Sequence, residues 1–249
     1  MIAAPLILLG LLGAWELYAR LGGIDNLLLP APTEVASALW LDRTMLGDNL
    51  LVTAQEVALG ILTALIAGAL LALALDRSAI LRRSLYPLLV GSQAVPILII
   101  APLVIVWLGF GAGPKLAIIA LVCFFPVVVT TLDALASVDP NQRKLMRNLD
   151  ASGWQELRWL EAPAALPGAL SGAKIAVAVA VIGAVFAEYA GSSEGLGNVI
   201  LQATPQLETA RAYAAAVLLA LLAIACFFLL SLAERLLIPW ARPTTERSR

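Results

Sequence analysis

Few residues in this chain are of a type that could do chemistry. It contains no histidine, the commonest general base and metal ligand at neutral pH. Cys123 and Cys226 each fall inside an apolar run, which suits packing and suits neither a disulfide framework nor a metal cluster. No nucleophile motif and no G-x-x-x-x-G-K-[ST] phosphate loop occurs, so the chain is not read as an enzyme and does not bind ATP by that route. The loop GFGAGP at 109–114 comes near a phosphate-binding run, but Pro114 stands where G-x-G-x-x-G needs its last glycine, and a tight turn is expected. What remains is polarity in apolar surroundings: Lys174 and Glu188 inside the run 171–191, and Gln93 close to Pro96. Such groups either line a water-filled path or bond neighbouring helices.

The elements that must hold these residues are membrane spans. Of 249 residues 61% are hydrophobic and 13% charged, and the mean hydropathy is +0.92. Polar surface is too scarce to cover a water-soluble domain. A net charge of −1 leaves no basic excess for nucleic acid. Six segments approach the roughly 20 apolar residues that a bilayer requires: 2–19, 57–75, 86–108, 115–136, 167–190 and 212–233. The first lacks the basic flank and cleavage site of a secretion signal and is read as a retained helix. The expected fold is a single all-α polytopic membrane domain over 1–249, with about six transmembrane helices.

Basic residues orient it. Arg77, Arg82, Arg83, Arg143, Lys144, Arg147, Arg158, Arg235, Arg242, Arg247 and Arg249 fall on one side, against Arg20, Arg43, Lys115 and Arg211 on the other. The positive-inside rule puts both termini in the cytoplasm.

Two spans carry small residues at helical spacing. Span 57–75 has Gly60, Ala64, Gly68 and Ala72, one every four. In 167–190, Gly172, Ala173, Ala176, Ala180, Gly183, Ala184, Ala187, Ala190 and Gly191 share one sector, with nothing larger than alanine in it. Lys174 and Glu188 flank that sector on the same side, roughly 21 Å apart along the axis, too far for a direct ion pair. Each either reaches its own membrane surface or serves as a polar gate residue. Gln93 and Pro96 interrupt 86–108, where Pro96 frees a backbone carbonyl; Gln93 could bond a substrate or another helix.

The loop after the first span holds LLLPAPTEVASALWL, in which Pro32 and Thr33 open a short surface helix with Val35, Leu39 and Trp40 available to the interface. More informative is the cytoplasmic segment 137–166, longer than the usual two to eight residues between packed helices and too short for a domain. Asp139 before Pro140 caps one helix, and Ser152 with Gln155 forms a capping box for a second, which Pro163 is expected to limit. The two join at Asp150 and Ala151, and Trp154, Leu157 and Leu160 make an apolar stripe that either takes a protein partner or folds back against the chain's own helix ends.

Several segments, in order, give the chain a family likeness: LLLPAPTEV, SQAVPILIIAPLVIVWLGFG, FFPVVVTTLDALASVDP, LDASGWQELRWLEAPAALPGALSGAKIA and VIGAVFAEYAGSSEGLGNVI. From about Leu28 to the last span it resembles the permease subunits of ATP-binding-cassette (ABC) importers, in the group serving nitrate, sulfonate, taurine and thiamine precursors. The resemblance implies a type I importer permease fold. It implies a path shared with a second permease copy, as homodimer or heterodimer, and two ATPase subunits that bind ATP and Mg. It further implies an outer substrate-binding protein and residence in the bacterial inner membrane. The family's coupling signature, E-A-A, three residues, G, nine residues, I-x-L-P, is altered here. Lys144, Leu145 and Met146 replace E-A-A, Asp150 replaces the glycine, and the ending reads Leu160, Glu161, Ala162, Pro163. The resemblance makes Leu149, Asp150, Ala151, Ser152, Gly153, Trp154 and Gln155 the ATPase-coupling residues; Gln93, Pro96, Lys174 and Glu188, singled out above by their place in apolar spans, are the candidates for the path or gate. Its segments lie closest to permeases for thiamine-precursor pyrimidines and related heterocycles, with nitrate, sulfonate or taurine as the alternative. An ATPase-independent secondary transporter is the different class to weigh, but no paired inverted repeat is found.

Overall fold

The computed structural model describes residues 3–23 and 25–241; Ile2, Arg242, Arg247 and Arg249, used in the expectations above, lie outside the described residues. The helices in chain order are α1 (Ala3–Leu21), α2 (Pro32–Leu41), α3 (Arg43–Arg77), α4 (Ala79–Ser92), α5 (Ile97–Leu108), α6 (Ala112–Ala136), α7 (Pro140–Asn148), α8 (Gly153–Glu156), α9 (Ala162–Gly191), α10 (Leu196–Ala203) and α11 (Thr209–Leu237), with a π turn at Leu157–Glu161. Four helical stretches are long and apolar enough to span a bilayer: α3, α6, α11 and the run Gly153–Gly191 that contains α9. The pair α4 and α5 qualifies together as a fifth.

The axis of the fold is α6. Its Ile119, Cys123 and Val127 meet Val57 and Ala64 of α3 on one side and Ala176, Ala180 and Ala184 of α9 on the other, all buried. Both small-residue stripes therefore face the same partner. A β-carbon added at Gly60 would lie 2.4 Å from Cγ2 of Ile119, and one at Gly172 would lie 1.8 Å from Oγ1 of Thr130. In a membrane such close approach replaces the hydrophobic effect as the source of helix association, because lipid tails are as apolar as the side chains. The buried thiol of Cys123 donates to the Ala176 carbonyl at 3.4 Å, consistent with its packing role.

Three expected boundaries shift. The 57–75 span begins much earlier, as α3 starts at Arg43. Its added turns hold Asn49, Thr53 and Glu56 at helical spacing, so an apolar window missed a segment that is helical but polar along one face. The 86–108 span is not one rod: α4 and α5 meet at 105°. Pro87 and Pro102 lie inside helices, while the break comes at Gln93–Pro96, where the amides of Gln93, Ala94 and Val95 bond carbonyls three residues back and Pro96 caps α5. Pro163 does not end the helix of the cytoplasmic segment. The chain runs on from α8 through the π turn, where Ala162 N–H bonds the Leu157 carbonyl, and Pro163 falls in the first turn of α9. The wider turn accommodates a residue with no N–H to give.

The glycines of the 109–114 loop make the expected tight turn, with Gly109 at φ 83° and Gly111 at φ 122°. Helix α2 forms where expected, but Val35 is buried in the core and leaves Trp40 as its exposed aromatic residue. At its start Thr33 donates to Glu16 of α1 through both N–H (3.1 Å) and Oγ1 (2.9 Å), an acidic side chain at a helix N-terminus.

The close contact predicts that Gly172→Ala destabilises the fold by about 1–3 kcal/mol through overpacking against Thr130. Thermal unfolding in detergent should show a lowered midpoint, while Gly113→Ala, with open space around it, leaves the midpoint unchanged.

Candidate functional site: an exposed apolar segment at one end and a buried polar latch at the other

At one end of the bundle, α7 lies beyond the end of α6, and α8 leads without a break into the run that contains α9. Both expected caps form: Asp139 accepts from Asn141 N at 2.8 Å, and Ser152 exchanges bonds with Gln155 in a capping box. Between them α7 closes with Ala151 N bonded to the Met146 carbonyl (3.0 Å) and Asp150 N to that of Arg147 (3.0 Å). This paired closure is a Schellman motif, and it puts Asp150 at φ 55°, the left-handed conformation glycine favours there. Aspartate is among the few residues that tolerate it, which explains how the substitution keeps the turn.

The surface so displayed is apolar. Leu145, Leu149, Trp154 and Trp159 are each more than half exposed. Of the expected stripe, Trp154 is exposed while Leu157 and Leu160 are half-buried against the bundle. Charged groups fasten the segment beneath: Glu161 is fully buried, with Arg77 and Arg143 on its two oxygens, and Arg147 faces Glu156 at 3.6 Å. Leu149, Asp150, Ala151, Ser152, Gly153, Trp154 and Gln155 thus form one continuous surface on a rigid base.

At the opposite end Glu188 is fully buried. Its Oε1 accepts from Thr53 Oγ1 at 2.7 Å and its Oε2 from the Gly197 N–H. Thr53 Oγ1 accepts in turn from Leu196 N (2.9 Å), and Asn49 Oδ1 from Gly195 N (2.7 Å). Three successive amides that open α10 are therefore capped by side chains of α3 and α9. A β-carbon at Gly195 or Gly197 would collide with the Glu188 carboxyl, at 2.3 Å and 2.7 Å respectively. Alongside, Lys115 pairs with Glu56 and donates to Ser192 Oγ at 3.0 Å. Sequence reasoning missed Asn49, Thr53, Glu56 and Lys115; the signal was their shared face on α3 together with a lysine at the start of α6.

The four path candidates separate. Lys174 does not simply reach for the interface: it pairs with Glu234 of α11, near the face of Phe227, and shares nothing with Glu188. Gln93 and Pro96 sit at the α4–α5 break, both exposed, with Gln93 donating to its neighbour Ser92 at 3.4 Å.

Residues 60–243 match the family of binding-protein-dependent transport system inner membrane components. The chain belongs to that family. It is the permease subunit of an ABC importer and a component of the inner membrane. The formylaminopyrimidine transport permease of Halalkalibacterium halodurans is 33% identical to this permease, over 95% of each chain. The riboflavin transport system permease of Chloroflexus aurantiacus is 34% identical, over 95% of this chain and 89% of its own. Among solved structures, the crystal structure of an amino acid ABC transporter with histidines superposes with a TM-score of 0.63 at 16% identity. That match covers 79% of this permease and 96% of the other chain, and it shows the fold.

Two outcomes follow from these geometries. Asp150→Gly should raise stability by about 1 kcal/mol by relieving the left-handed aspartate, read as a higher unfolding midpoint. Glu188→Ala should leave the bundle assembled but release α10, so that hydrogen exchange at the amides of Gly195, Leu196 and Gly197 rises about tenfold or more, as expected when loss of a buried acceptor leaves its donors unpaired at a cost of roughly 1–3 kcal/mol.

Proposed function

We propose that two copies of this chain form the membrane path of an importer for a small heterocyclic solute, delivered by an outer binding protein and driven by a pair of ATPase subunits that bind ATP and Mg. The observation that carries the reading is the apolar surface of Leu145, Leu149, Trp154 and Trp159, ordered and exposed at the end of the bundle where basic residues gather. An apolar surface on charge-fastened helices outside the spans is matched to a protein cleft rather than to lipid. With that end in the cytoplasm, both termini lie on the ATPase side, in keeping with the positive-inside rule.

The substrate class is supported by the two relatives named for a formylaminopyrimidine and for riboflavin, both nitrogen heterocycles. Sulfonate, taurine or nitrate is the alternative. Within the path we assign Gln93 and Pro96 at the helix break, since an exposed glutamine beside a broken helix is tolerated at membrane depth only where it meets protein or a water-filled cavity. Lys174 acts by joining α9 to α11, and Glu188 by holding α10, each bordering the path through what it positions.

Purification from native membranes should bring down an ABC ATPase, and Trp154→Asp should release it while the permease remains folded. Uptake by the permease alone in liposomes, driven by an ion gradient without ATP, would show the reading to be wrong.

A further inference from the structure

Arg143 of α7 makes three contacts that none of its neighbours shares. Its Nη2 donates to the Leu135 carbonyl near the end of α6 at 2.7 Å. Its Nη1 lies 3.1 Å from Glu161 in the π turn that leads into α9, and 3.7 Å from Asp76 near the end of α3. Arg77, the last residue of α3, holds the other oxygen of Glu161. The set is charge-balanced: Arg77, Arg143 and Arg147 against Asp76, Glu156 and Glu161.

We propose that Arg143 and Glu161 are the positioning residues that transmit displacement of the docking segment to α3, α6 and α9 together, so that the segment moves the three central spans as one body. The inference rests on the importer reading above and adds to it the internal route by which the stroke travels. The physical reasons are three. First, the docking surface meets the spans through short connections, Ser137–Asp139 before α7 and the π turn after α8, and a π turn is a place where a helix can change register. Left unclamped, movement of α7 and α8 would be absorbed there. Second, Arg143 reaches three helix ends at once, with Nη2 hydrogen-bonded to the Leu135 carbonyl and Nη1 within ion-pair range of both Glu161 and Asp76, a span that the single ammonium of a lysine cannot cover. Third, Glu161 is fully buried, so its carboxylate cannot trade a lost arginine for water, and the clamp opens only at high cost.

Stability and transmission separate because apolar replacement of a buried ion pair commonly preserves stability. The test is the double variant Arg143→Met with Glu161→Leu, which removes one charge of each sign; because it also takes the ion-pair partner from Asp76, its unfolding midpoint is measured first. The purified complex with its ATPase and binding protein is reconstituted in proteoliposomes. The variant should fold, retain the ATPase and hydrolyse ATP, yet uptake should fall about tenfold and hydrolysis should no longer respond to the loaded binding protein. Arg143→Lys keeps the charge without the fork and should show the same loss in smaller degree, which serves if the double variant does not fold. Normal uptake with normal stimulation in a folded variant that retains its ATPase overturns the clamp alone. Failure of the unaltered permease to retain an ATPase overturns the importer reading and the clamp with it.

Discussion

Everything in this permease is arranged around the closeness with which α6 is gripped by α3 and α9. Among apolar helices in lipid, dispersion contact and shape are what hold, and shape here means the absence of side chains. At Gly60 and Gly68 of α3, and at Gly168 and Gly172 of α9, a single added carbon would lie within 3 Å of atoms on α6. The branched side chains Ile119, Val127 and Thr130 of α6 fill the space so vacated. The grip leaves no freedom for the three helices to rotate independently, so the polar groups at their ends are delivered to fixed places.

Those polar groups gather at the two ends of the central helices. One network, built on Glu188, Thr53 and Asn49, fastens a short helix that could not otherwise satisfy its first amides. The other, built on Glu161, Arg77 and Arg143, fastens the segment that bears the exposed Leu145, Leu149, Trp154 and Trp159. The ionisable groups so placed are paired or hydrogen-bonded, the condition under which a span can carry them at all. A transport subunit must accept a solute at one face and a mechanical stroke at the other. A rigid three-helix centre with fastened attachments at each end suits that task. The α4–α5 pair, bent and exposed at Gln93–Pro96, is the part of the chain built on different terms.

Much of this was legible in advance, and the exceptions are instructive. The capping pairs Asp139–Pro140 and Ser152–Gln155 depend on neighbours a few residues apart, and both form as read. Asp150 was readable for the same reason, since its left-handed turn is a local matter of backbone angles. Pro163 misled because a proline ends a helix only if the preceding turn keeps α geometry, and here a π turn intervenes. Helix α10 escaped notice because its first amides are capped by Asn49, Thr53 and Glu188, well over a hundred or only a few residues away in the chain, rather than by a residue of its own.

The sequence alone therefore determined that the chain crosses a membrane several times, which of its helices must pack closely, and where the helices of the segment 137–166 are capped and turn. These properties follow from hydropathy, from residue size at helical spacing and from local capping, none of which requires knowing what lies across the fold. Only the tertiary structure decided the partners of the charges. Lys174 and Glu188 stand on one helix and invite being read together. Yet Lys174 belongs to Glu234, and Glu188 to Thr53 and the amide of Gly197. Coulombic and hydrogen-bond contacts act over a few ångströms between whichever helices packing has brought together, and sequence distance does not record that choice.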